Sequence, residues 1–103
     1  MAFKIETSRE AEIQINHCIE YILYKFKSYQ GASGLSDDIE NSYCTLTDRA
    51  DSFGYCDDPY LAVQGYREIK LEHYKYLFIF RLDDNIVYIA GFFHMLENYA
   101  KKL

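Results

Sequence analysis

The chain has 103 residues, half of them hydrophobic, with a single proline and a formal net charge of −5. That length and composition predict one folded domain with a real core and exclude a disordered chain. No run approaches the roughly 20 apolar residues that a membrane span needs, and the acidic balance argues against broad, non-specific attachment to nucleic acid.

The opening residues, MAFKIETSREAE, lack the basic-then-apolar build of a secretory leader, so a cytosolic protein is expected. Phe3 to Glu6 alternates apolar and charged residues, as a flanking strand does. Thr7-Ser8-Arg9-Glu10 matches a capping box with Thr7 as N-cap. Ile15, Cys18, Ile19, Ile22, Leu23 and Phe26 then recur at helical spacing, which predicts a helix from Ser8 to about Ser28.

Gly31-Ala32-Ser33-Gly34 interrupts that stripe and reads as the turn of a helical hairpin. Leu35, Ile39, Tyr43, Leu46, Ala50 and Phe53 form a second stripe, with Asp37, Asp38, Glu40 and Asp48 off it. Gly54 to Gln64, with the only proline, reads as a loop. Strands follow at about Tyr66–Leu71, Tyr74–Asp83 and Ile86–His94, with Asp83-Asp84-Asn85 as a hairpin turn. The tail from Met95 to Leu103 reads as helical or frayed. The order is β-α-α-β-β-β, an α+β fold with the helical hairpin packed on one face of a small antiparallel sheet.

Charge divides unevenly along this order. Residues 1–51 carry nine acidic side chains against five basic ones, whereas residues 66–103 carry six basic against five acidic. Three cysteines with no CxxC spacing predict neither a disulfide framework nor a metal site. His17 and Cys18 are adjacent, but on a helix they point about 100° apart and do not share an ion. No metal or cofactor is expected.

The order of elements resembles the RelE/ParE family, the toxin halves of bacterial type II toxin–antitoxin pairs. The resemblance rests on Thr7-Ser8 followed by Ala11-Glu12 at the start of the long helix and on Gly65-Tyr66-Arg67. It extends to the aromatic strand Tyr76–Asp83 and to His94-Met95-Leu96-Glu97-Asn98-Tyr99 ahead of Lys101-Lys102-Leu103. It implies a growth-inhibiting protein held inactive by a cognate antitoxin. It also implies one of two targets: the ribosome, where RelE-like members cut mRNA, or DNA gyrase, which ParE-like members poison. No direct sequence-specific DNA binding is expected.

RNA cleavage by a 2′-hydroxyl needs a proton acceptor, a proton donor and cations around the phosphorane. On the family pattern Arg67 would clamp phosphate, His94 would act as acid or base, and Tyr99 would stack on a base or orient a proton. Lys70, three residues from Arg67 on one strand, is expected on the opposite face. Tyr66, Arg67, Arg81, Asn98 and Tyr99 are the residues expected to meet a target or the antitoxin. Where nuclease members carry lysines, this chain carries Cys56-Asp57-Asp58-Pro59, which repels phosphate. The expectation is therefore ParE-like action on a target such as gyrase. A RelE-like ribosome-dependent endoribonuclease is the alternative, and a member that retains only antitoxin binding is a further one.

Overall fold

The computed structural model of the chain describes residues 2–103. Strand β1 (Lys4–Thr7) runs into helix α1 (Arg9–Glu20), which continues through one π-helical turn, Tyr21–Lys25. Ser8, not Thr7, is the N-cap, and its Oγ accepts the Ala11 amide at 3.1 Å. Thr7 is the last strand residue, and its hydroxyl hydrogen-bonds that of Tyr43 at 2.8 Å.

The hairpin turn lies earlier than Gly31-Ala32-Ser33-Gly34. Lys27 takes a positive φ of 52°, Ser28 caps the next helix through the Gly31 amide, and α2 spans Tyr29–Arg49. Both glycines therefore sit inside the first turns of α2. Close approach explains them better than turn-making does: a Cβ on Gly34 would fall 2.4 Å from the Tyr74 hydroxyl, and one on Gly31 would fall 2.9 Å from Ser28 Oγ.

After a 3₁₀ turn at Ala50–Ser52, the expected loop holds a short helix, α3 (Pro59–Val63). Asp58 starts it by accepting the amides of Tyr60 and Leu61, with Pro59 at the first helical position, where its missing N–H costs nothing. Strands β2 (Arg67–Lys70), β3 (Tyr76–Asp83) and β4 (Ile86–His94) form the expected antiparallel meander. The sheet order is β1-β4-β3-β2, and β1 joins β4 in parallel. A parallel pair needs a long crossover, which the helices and the meander supply.

One residue resets the faces of β4. Ile79 pairs with Gly91 but Phe80 with Ile89, leaving Ala90 as a bulge. Val87, Ile89 and Phe92 consequently face the helices with Phe78 and Phe80, against Leu35 and Leu46 of α2. Leu77, Ile79 and Phe93 face the other way, under Leu61 of α3, Cys56 and the tail residues Met95 and Tyr99. The core therefore lies on both sides of the sheet. Its second side is only partly covered, leaving Arg81 and Tyr88 exposed.

Candidate functional site

Strand register sets the open part of this second face. Glu6 of β1 is opposite Tyr88 of β4, Tyr88 is opposite Arg81 of β3, and Arg67 is opposite Phe80. One step before Arg67, Tyr66 comes level with Arg81, whose guanidinium carbon lies 4.3 Å from the Tyr66 ring centroid. Glu6, Tyr88, Arg81 and Tyr66 thus form a row across β1, β4 and β3 to the residue that leads into β2. Arg81 and Glu6 are exposed, and Tyr88 is 38% exposed.

Two depressions flank the row. One, of about 290 Å³, is bounded by Glu6, Ser8, Tyr66, Arg81, Tyr88 and Ala90. The other, of about 530 Å³, is bounded by Gln64, Gly65, Arg81, Leu82, Asp83 and Tyr88. Gly65 has a φ of 87°, a conformation side-chain-bearing residues rarely adopt, and it turns the chain from α3 into the position that sets Tyr66 under Arg81. A guanidinium stacked on an aromatic face keeps its N–H edge free for a planar anion. The Arg81 guanidinium, stacked on Tyr66, can therefore meet a carboxylate or phosphate.

Arg67 lies on the opposite, helix-covered side by strand alternation, as its neighbour Ile69 does. Its Nη1 donates to the Phe53 carbonyl, and its guanidinium lies 4.6 Å from the Tyr55 ring. It therefore ties the segment before α3 to β2. Lys70 projects to the other face, where it pairs with Asp57 at 3.5 Å and Glu68 at 3.7 Å.

His94 closes β4 as a turn former. Its Nδ1 accepts the Leu96 amide at 3.1 Å, its own amide donates to Glu97 Oε1, and its ring meets Tyr76 edge-on. Tyr99 stacks on Phe93 with centroids 5.9 Å apart, on the second face. Burial first, then the charges of Glu68, Cys56, Asp57 and Asp58, push its phenol above the ordinary value of 10.0. Asn98 is exposed just before the tail's 3₁₀ turn, Tyr99–Lys102.

Of the residues singled out from sequence, the structure brings Tyr66 and Arg81 into contact and sets Tyr99 further along the same face. Arg67 and His94 face the helices. Tyr88 and Glu6 join the site only through strand register, which no local motif encodes.

No protein-family model matches the chain. No curated protein matches it. Solved structures do. The chromosomal ParDE TA system from P. aeruginosa matches with a TM-score of 0.67 at 15% identity, over 90% of this chain and 96% of that one. The toxin-antitoxin complex RelBE2 from Mycobacterium tuberculosis matches with a TM-score of 0.61 at 17% identity, over 91% of this chain and 99% of that one. The likeness is one of fold: over about nine tenths of its length this chain has the fold found in those two toxin–antitoxin structures.

Proposed function

We propose that the chain is the toxin component of a type II toxin–antitoxin pair, neutralised by a cognate antitoxin in the cytosol. In this reading it inhibits growth by binding a protein target such as DNA gyrase, with Arg81, Tyr66 and Tyr88 as the contact surface. The fold shared with structures of toxin–antitoxin assemblies supports the first part.

The observation that carries the second part is the prior engagement of the groups RNA cleavage would need. Arg67 hydrogen-bonds backbone, Lys70 is paired with two carboxylates, and Tyr99 sits among acidic neighbours. A phosphate approaching Tyr99 meets the negative charge of Glu68, Asp57 and Asp58. The exposed Arg81, stacked on Tyr66, offers a grip for an anionic group of a partner. That arrangement suits binding rather than cleavage.

The test is induction of the chain alone in a bacterial host, following protein synthesis and DNA synthesis over the first minutes. Loss of DNA synthesis with translation intact, and inhibition of gyrase supercoiling by the purified chain, are the expected results. Immediate arrest of translation would overturn the gyrase reading in favour of a ribosome-dependent endoribonuclease using Arg67, His94 and Tyr99. Unimpaired growth would leave a partner that binds antitoxin only.

A further inference from the structure

We propose that Asp38, Glu72 and His73 form a binding site for a divalent first-row transition cation of the zinc class, fastening the β2–β3 turn to α2. Asp38 sits mid-helix with only 2% of its surface exposed. Both its oxygens serve one residue: Oδ2 accepts the His73 amide at 2.8 Å, and Oδ1 lies 2.9 Å from His73 Nδ1. Glu72 brings a second carboxylate, so that one donor atom from each of the three residues lies within 4.8 Å of the others.

The spacing suits a shared ion. Two ligands on a tetrahedral zinc, with bonds of about 2.0–2.2 Å, stand about 3.3 Å apart. The 2.9 Å between Oδ1 and Nδ1 is a few tenths short of that, a shift an exposed turn accommodates. Glu72 is exposed and free to rotate onto the ion. Beside the cluster lies a cavity of about 170 Å³ bounded by Asp38, Asn41, Ser42, Thr45 and Glu72, roomy enough for a water completing the coordination. Lys70 also borders that cavity, but its ammonium is paired with Asp57 and Glu68.

One imidazole and two carboxylates match a borderline cation better than calcium or magnesium, which favour all-oxygen shells. Two carboxylates also balance its charge. On binding, the metal takes the Nδ1 lone pair. The proton shared between Nδ1 and Oδ1 moves to Nε2 if the ring is neutral, or to solvent if the ring is charged. The Oδ2 bond to the His73 amide remains and keeps the carboxylate oriented.

The test is calorimetric titration and thermal unfolding of the chelator-treated full chain with zinc chloride. A Cys44→Ser background removes the exposed thiol as a competing donor. One equivalent should bind and raise the melting temperature. His73→Gln and Glu72→Gln should each weaken binding at least about tenfold, the lower bound even for an outer-shell partner. Both variants should keep the metal-free far-ultraviolet spectrum of the parent. No binding by the parent, or equal binding by His73→Gln, would overturn the site and leave Asp38 and His73 as a plain hydrogen-bonded clasp.

Discussion

Arg81 of β3 and Tyr66, the residue leading into β2, stack at 4.3 Å, whereas Arg67, next to Tyr66 in the chain, turns to the other side of the sheet. The two arginines therefore sit in different surroundings, Arg81 exposed and Arg67 bonded to the Phe53 carbonyl. Replacing Arg81 by Ala removes an exposed side chain with no hydrogen-bonded backbone partner. Stability should change by no more than about 0.5 kcal/mol, as for ordinary surface substitutions. Growth arrest on induction should nonetheless be lost. Arg81→Lys should rescue it only in part, because an ammonium keeps the charge but not the planar stack. Full arrest by a folded Arg81→Ala chain would remove this residue from the contact surface.

Arg67→Ala should behave in the opposite way. It strands the Phe53 carbonyl and frees Tyr55, with an expected cost of about 1–3 kcal/mol for a hydrogen bond from a charged donor. Urea unfolding reads this as a lower midpoint at unchanged slope. Any loss of growth arrest should follow the loss of folded protein. An Arg67→Ala chain of unchanged stability that no longer arrests growth would instead restore Arg67 as a functional residue.

Where local pattern decides structure, the sequence was enough. The hydrophobic run of β4 gives its bounds, Ile86–His94, and Asp83-Asp84-Asn85 turns the hairpin, with Asp84 at a φ of 54°. Where partners are distant, it was not. Gly31 and Gly34 read as a turn because nothing nearby reveals Tyr74, 43 residues on, whose hydroxyl bonds the Gly31 carbonyl. The face of Arg67 depends on register with β3, and the face of each β4 residue depends on the bulge at Ala90. Alternation along one strand states which residues share a face, not which face the helices cover.

Gly34→Ala tests the packing account of those glycines. Helix propensity alone would make the change stabilising by about 1 kcal/mol. The new methyl would meet the Tyr74 hydroxyl at 2.4 Å and displace a ring that packs against the core. Overpacking costs about 1–3 kcal/mol, so the net change should be neutral to destabilising. Pairing it with Tyr74→Phe, which removes the clashing oxygen, should recover much of the loss. A clear gain in melting temperature for Gly34→Ala alone would contradict the close approach.

Thiol reactivity offers a check on the second face. Cys56 is buried beneath α3, and its thiol is pushed up to about 12 by burial and then by Glu68, with Asp58 and Asp57 adding to it. Burial also raises Cys18, while Cys44 is exposed. A disulfide reagent at neutral pH should therefore label Cys44 at once, Cys18 slowly and Cys56 only after unfolding. Rapid labelling of Cys56 in the native chain would mean that α3 and the tail do not stay closed over it.

The tail itself should respond to acid through Glu97. Its carboxylate accepts the His94 amide and pairs with Lys102. Partial burial pushes the group up, but the Lys102 ammonium and the His94 amide outweigh it and hold it below the ordinary 4.5. A carboxyl with a depressed folded value contributes stability that is present above its unfolded value and lost as pH falls through the folded one. The window therefore lies below about pH 4.5 and not near neutrality. The readout is the near-ultraviolet dichroism of the Tyr99–Phe93 stack, which should weaken across that window. Glu97→Gln should flatten the dependence and weaken the stack already at pH 7, since a neutral amide pairs poorly with Lys102. An unchanged stack at pH 3 would show that Phe93 packing alone holds the tail, with Glu97 contributing nothing.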